Sequence, residues 1–183
     1  MRTDEELVET TLNGSAAAFA ELVERYQERL LRFLLTRCAT RADAEDALQE
    51  TFLNAYRYLP SYRTRWRFST WLYRIAIRNA WRQRDAGHAP YEDHPDYAAD
   101  PLEACIANSD RENAWSAARR LLTPDARTAL WLRYVEDMSI REVARALGRS
   151  QAWTKVTLMR SRRRLQSALA IDAARTSERK AYG

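Results

Sequence analysis

The chain has 183 residues, enough for one large domain or two small ones, and 46% of them are apolar or aromatic, enough to bury a core. Thirty basic side chains against twenty-five acidic ones leave a formal charge of +5, an excess that points to an acidic partner such as nucleic acid only where the charge clusters. No segment approaches the ~18 apolar residues of a membrane span, and the opening "MRTDEELVET" is polar and acidic, which excludes a signal peptide and predicts a cytoplasmic protein.

Four glycines and five prolines in a chain rich in Ala, Leu, Arg and Glu predict an all-α protein. In chain order, a short helix is expected over residues 4–12, ending at Asn13-Gly14. Ser15 caps a second, about 16–37, whose stripe of Phe19, Leu22, Val23, Tyr26, Leu30, Phe33 and Leu34 faces a core. Thr40 to Asp43 open a third helix as a capping box, and it stops before Pro60. Its spacing turns Ala44, Ala47, Leu48, Thr51, Phe52, Ala55 and Tyr56 inward and leaves Asp46, Gln49, Glu50 and Leu53 outward. By composition alone that outer side is an ordinary solvated face. After the loop "PSYRTRWRF", Ser69 is expected to cap a fourth helix over about 70–85.

The composition then breaks. Residues 85–110 hold seven acidic side chains, no Lys or Arg, three of the five prolines and both histidines, His88 and His94. This reads as a linker rather than a metal site, since no cysteine stands near the histidines. A helix follows over about 102–121. Thr123, Pro124 and Asp125 start the next, with a cap, a fitting first position and a carboxylate at the positive end of the dipole. Ser139 to Glu142 form a capping box for a helix over 140–147, Gly148 ends it, and Ser150 caps the last helix, about 151–169. From Asp172 onward a frayed polar tail is expected. Cys38 and Cys105 lack C-x-x-C spacing and read as small buried hydrophobes with reduced thiols. The fold class predicted is therefore all-α, two helical domains joined by a flexible linker, with a helix-turn-helix in the second. The boundaries are 1–85, a linker at 86–112, and 113–183.

Two segments carry chemistry. Residues 57–84 hold eight arginines, no acid and seven interleaved aromatics. Arginine supplies phosphate and base contacts, and aromatics stack on bases that have left the duplex, so the combination suits melted nucleic acid. Trp71, Ile75 and Trp81 are expected in the core, with Tyr62, Trp66 and Phe68 in the loop before the helix. Residues 139–164 have helix-turn-helix spacing, Ala144 standing four before Gly148, and 141–164 carry eight basic side chains and one acid. Gln151 to Lys155 would face base edges, while Arg160 and Arg162 to Arg164 suit phosphates. Trp153 either reaches the groove or packs back onto Val143 and Leu147. No phosphate loop, metal-ligand motif or nucleophile–histidine pair competes, so neither an enzyme nor a cofactor is expected.

Together these residues resemble the sigma factors of bacterial RNA polymerase, in their compact extracytoplasmic-function (ECF) branch. "DAEDALQETFLNAYRYL" is similar to that family's region 2.2, "FSTWLYRIAIRNAWRQR" to regions 2.3–2.4, and the stretch from "LLTPDAR" to "SRRRL" to region 4. The resemblance implies a promoter-specificity factor that binds core polymerase, recognises −10 and −35 elements and assists melting. It implies core binding by Asp43, Asp46, Gln49, Glu50 and Leu53 on the clamp helices of the largest subunit. It implies flap binding on the second large subunit through apolar residues of the 124–135 helix. For the −10 element it implies Tyr62, Arg63, Arg65, Trp66, Arg67, Phe68, Arg74, Arg78, Asn79 and Arg82, with a base flipped into the loop. For the −35 element it implies Arg149, Ser150, Gln151, Trp153, Thr154, Lys155 and Arg160. An anti-sigma factor is a further partner that the resemblance leaves open. Trp153, Thr157 and Arg149 depart from the family's usual recognition-helix pattern. The competing class, a stand-alone helix-turn-helix regulator, predicts duplex binding without polymerase, and the aromatic-arginine loop speaks against it.

Overall fold

The computed structural model describes residues 2–85 and 108–181, with side chains described for 2–82 and 115–170. Among the described residues the chain forms eight α-helices and no strand, in two compact units. The first holds α1 (Asp4–Leu12), α2 (Ala16–Leu35), α3 (Arg41–Tyr58) and α4 (Phe68–Asp85). The second holds α5 (Asn108–Leu121), α6 (Pro124–Tyr134), α7 (Ile140–Leu147) and α8 (Gln151–Ala181). The linker assignment to residues 86–107, with His88, His94 and Cys105, lies outside the described residues, and Asn108 to Glu112, assigned to the linker above, are the first residues of α5. The last helix continues to Ala181, well past the expected fraying point at Asp172.

The helix starts obey local chemistry. Thr3 with Glu6, Thr40 with Asp43 and Ser139 with Glu142 are reciprocal boxes, each side chain bonding the other residue's backbone N–H. Ser15 and Thr123 cap α2 and α6 through Ala18 and Ala126. Ser69 does not cap α4, which begins at Phe68 and takes Ser69 inside as a buried residue.

In the first unit α3 packs on both α2 and α4. Its inner face is small (Ala44, Ala47, Thr51 and Ala55, all buried), as are Ala76 and Ala80 on α4. Small residues let two helices approach closely, and the larger side chains fill the space beside them. Leu22, Leu30, Phe33 and Leu34 from α2 meet Leu72, Tyr73 and Ile77 from α4 in that core, with Phe33 and Tyr73 edge to face at 5.2 Å. The expected stripe of α2 holds, with Phe19 and Val23 half-buried. Tyr56 is a correction: placed on the inner face of α3 by spacing, it is 55% exposed, stacked edge-on against Phe19 at 5.0 Å. Trp71, Ile75 and Trp81 are likewise half-buried rather than core. Cys38 is buried, as expected.

α1 is tied to α2 by charge. Arg25 donates to Asp4 at 2.5 Å and to Glu21 at 3.2 Å, and the Tyr26 hydroxyl donates to Asp4. Burial pushes the Tyr62 hydroxyl up from 10.0 to about 12, with the Glu5 and Asp4 carboxylates adding to the effect. Burial and Asp4 raise Tyr26 also. A folded pKa above the unfolded one stabilises the fold fully below pH 10 and loses that contribution as pH rises toward 12. The melting temperature of the protein should therefore fall through this window, and Tyr62→Phe should flatten the slope there; an unchanged slope would contradict the assignment.

In the second unit α8 packs on α5, α6 and α7, and α6 is largely enclosed. Thr128 to Leu132 are consecutively buried, and Trp131 lies 5.5 Å from the Trp115 ring of α5. Five buried positions in a row leave α6 exposed only at its ends and at the half-buried Asp125, Arg127 and Arg133. The expected flap-binding surface is accordingly reduced: of the apolar side chains on this helix, Tyr134 is the exposed one and the half-buried Val135 follows it. The turn to α7 puts Asp137 at φ 50, with buried Glu136 accepting from the Trp131 indole at 3.3 Å.

Candidate nucleic-acid interface

Three surfaces emerge, two on the first unit and one on the second. On α3, Asp46, Gln49, Glu50 and Leu53 are exposed in one strip, Leu53 by 64%. Asn54 braces the strip, donating to Glu50 at 2.9 Å. Asp43, half-buried one turn before Asp46, also closes the helix start, its carboxylate accepting from the Thr40 backbone N–H at 3.1 Å. Tyr56 extends the strip by one turn, which spacing alone had hidden by placing it in the core.

The loop between α3 and α4 begins with a 3-10 turn, Leu59–Ser61. The Tyr62 hydroxyl then donates to the Trp66 carbonyl at 2.6 Å, and the Trp66 N–H donates to the Arg63 carbonyl at 3.2 Å. Tyr62 and Phe68 are buried and form, with Tyr26 and Trp71, an aromatic cluster of ring spacings from 5.6 to 5.8 Å. This corrects the expectation that both present their rings to a base; they fix the two ends of the loop instead. Between them Arg63, Arg65 and Arg67 are exposed, and Trp66 is half-buried with the Arg65 guanidinium 5.9 Å from its ring centre. Along α4, Arg78 and Arg82 are exposed and Arg74 half-buried on one side. Asn79 is buried: it donates to the Thr51 hydroxyl at 3.2 Å and joins α4 to α3. Trp71, expected in the core, is half-buried and stands on the arginine-lined side instead. It shares the side of Arg74 and Arg78, and the signal was its three- and seven-residue spacing from them.

The third surface is the α7–α8 pair. Gly148 ends α7 at φ 65, where an added Cβ would meet nothing within 4 Å, so its glycine answers to conformation rather than space. On α8 the inward stripe is Thr154, Leu158 and Ser161, all buried. Thr154 is thus removed from the candidate readers; its hydroxyl donates to the Ser150 carbonyl at 3.0 Å. Ser150 is a cap, accepting from the Trp153 N–H at 3.1 Å. Gln151, Lys155 and Arg160 are exposed as expected, and the exposed Ala152, Val156 and Met159 join them as apolar neighbours that charge-based reasoning passed over. Trp153 is half-buried, and the Arg149 guanidinium stands 5.3 Å from its ring centre.

Among the described residues, no group of His, Cys, Asp and Glu could hold a metal ion, and no helix is long and apolar enough to cross a membrane. Residues 22–86 match the family described as Sigma-70 region 2, and residues 115–165 match Sigma-70, region 4. The chain is 32% identical over 179 residues to the ECF RNA polymerase sigma-E factor of Haemophilus influenzae, covering 90% of this chain and 94% of that one. It is 30% identical to the RNA polymerase sigma-H factor of Pseudomonas aeruginosa, over 91% and 93% of the two chains. Among solved structures, CnrH in complex with the cytosolic domain of CnrY is similar with a TM-score of 0.67 and 25% identity, covering 92% of this chain and 98% of that one. The chain belongs to the ECF sigma factors of RNA polymerase and directs transcription initiation. Sigma factors are not a class of enzyme; they bind core polymerase and promoter DNA.

Proposed function

We propose that the three surfaces divide the work of initiation between the two units. The observation that carries this reading is the pairing of an acid-free, arginine-lined surface with half-exposed indoles on the loop and α4. Duplex binding needs the arginines alone; indoles within reach of bases favour an opened strand. In this reading the first unit (residues 1–85) docks Asp46, Gln49, Glu50, Leu53 and Tyr56 on the clamp helices of the largest subunit. Arg63, Arg65, Trp66, Arg67, Trp71, Arg74, Arg78 and Arg82 then hold and help to open the −10 element. The second unit, joined through the acidic segment 86–112, lies in the −35 major groove through Gln151, Trp153, Lys155 and Arg160, and meets the flap of the second large subunit near Tyr134. The protein acts in the cytoplasm and contributes no bond-making chemistry of its own. An anti-sigma factor is a further partner in this reading, supported by the similar CnrH being held by a CnrY domain.

The test is pull-down of core RNA polymerase with the full chain, followed by run-off transcription from a duplex promoter and from the same promoter opened at −10. Trp66→Ala and Trp71→Ala should lower output from the closed template and recover on the opened one. Equal loss on both would sink the melting role. Tight promoter binding by the chain without polymerase would favour the stand-alone regulator.

A further inference from the structure

Arg149 is the residue at which the second unit departs from simple phosphate contact. Its backbone is fixed on leaving α7, since the Gly148 N–H donates to the Arg145 carbonyl at 3.3 Å and the Arg149 N–H to the Ala144 carbonyl at 2.9 Å. Its side chain is engaged twice. One guanidinium nitrogen lies 2.7 Å from the Asp125 carboxylate, and the guanidinium stands 5.3 Å from the centre of the Trp153 ring. Asp125 is itself held at the first turn of α6, behind the Thr123 cap and Pro124, where a carboxylate is favoured by the helix dipole. Its side chain is 21% exposed, against 48% for Arg149. Trp153 is the third residue of α8, its N–H closed on Ser150. The Arg149 guanidinium, on the turn after α7, therefore links the start of α6 to the indole at the start of the recognition helix.

We infer that Asp125 and Arg149 are positioning residues that set the orientation of the Trp153 ring and, through it, the −35 preference. This deepens the reading of α8 as the −35 helix and rests on it. A planar guanidinium anchored by a carboxylate can present its face to an aromatic ring and hold it, which a lysine ammonium cannot do in the same way. An indole offers a base edge one hydrogen-bond donor and a broad apolar surface, so what it selects depends on how it is turned. Arg149, with Asp125 on one side and Trp153 on the other, is accordingly withdrawn from the −35 contact that the resemblance implied for it. Both contacts are partly exposed, so the restraint on the ring is modest and its effect belongs in selectivity rather than in folding.

The experiment uses holoenzyme made from core polymerase and the full chain, transcribing a barcoded promoter library with a fixed −10 element and a randomised −35 element. Asp125→Asn should reduce discrimination at the base pair that Trp153 meets by about two- to fivefold, the size expected for partly exposed contacts. It should lower the melting temperature by no more than a few degrees, the loss of one dipole-favoured, partly exposed carboxylate, and leave core binding unchanged. Asp125→Glu, which keeps the carboxylate, should retain the preference. In a Trp153→Ala background Asp125→Asn should add nothing, because the group it positions is gone. Altered preference with Trp153→Ala but none with Asp125→Asn overturns the positioning role, as do additive effects in the double variant. A uniform loss on all −35 sequences with a large drop in melting temperature overturns it too, since that is a merely structural contribution. If neither Trp153→Ala nor Lys155→Ala alters preference while core binding persists, the −35 reading of α8 fails instead.

Discussion

Phe68→Ala is expected to destabilise the first unit by about 3–5 kcal/mol, the cost of emptying a buried aromatic site that cannot collapse. Phe68 is 1% exposed, and its ring contacts Tyr26, Tyr62 and Trp71 from three parts of the chain. Removing it takes the partner from each ring pair and loosens both ends of the 62–67 loop. Domains of this size have total stabilities of about 5–15 kcal/mol, so the first unit would be left marginal at 37 °C. Trp66→Ala is the control, because Trp66 is half-buried within the same loop and its backbone carries the loop's hydrogen bonds. It should cost far less stability while impairing promoter opening. Urea denaturation of both variants separates the two roles. A Phe68→Ala protein that melts like the parent yet fails in transcription would return Phe68 to the DNA-facing side.

Association with core polymerase should fall roughly 10- to 100-fold for Leu53→Asp and for Asp46→Arg, equivalent to ~1.4–2.8 kcal/mol. Leu53 is the most exposed large apolar side chain described, and it stands among carboxylates and an amide on the outer side of α3. An exposed leucine within a polar rim suits an interface whose centre excludes water. Introducing a carboxylate there leaves a charge to be desolvated, and reversing Asp46 sets a positive charge where the surface is acidic. Neither side chain touches the core, so helical content by circular dichroism should not change. Titration of labelled core polymerase gives the affinities. Unaltered affinity for both variants would remove this face from the interface, and loss of folding would mean that α3 is turned the other way.

What sequence disclosed well was what depends on residues near one another in the chain. Thr40–Asp43, Ser139–Glu142, Thr123-Pro124 and Gly148 each set a helix end within a few positions, and those ends stand where expected. The exposed strip of α3 was legible because Ala44, Ala47, Thr51 and Ala55 mark the opposite side. Errors arose where chemistry and location part. Phe68 lies among arginines and so resembled a loop aromatic, but helix α4 starts a residue before Ser69 and turns it inward. Thr154 and Asn79 are polar and buried because Ser150 and Thr51 satisfy them, a pairing that spacing does not reveal. Tyr56 follows buried Ala55 and so stands about 100° further round the helix, at the margin of the inward stripe, where its ring lies against Phe19 and stays exposed. Asp125 had been explained fully by the helix dipole, so its reach across to Arg149 was invisible until α6 and α7 were placed side by side.

The reciprocal boxes at α1, α3 and α7 bear on how the chain comes into being. Each supplies its start signal within four residues, so these helices can nucleate before any distant partner has arrived. Within the first unit the helices pack chiefly on sequence neighbours, an arrangement of low contact order that folds quickly, whereas the second unit closes only when α8 meets α5 and α6. During synthesis from the N-terminus, α1 to α4 can close their core while the ribosome is still making α5 to α8. The nascent protein thereby passes through a stage in which the half bearing Leu53 is finished and the recognition helix does not yet exist.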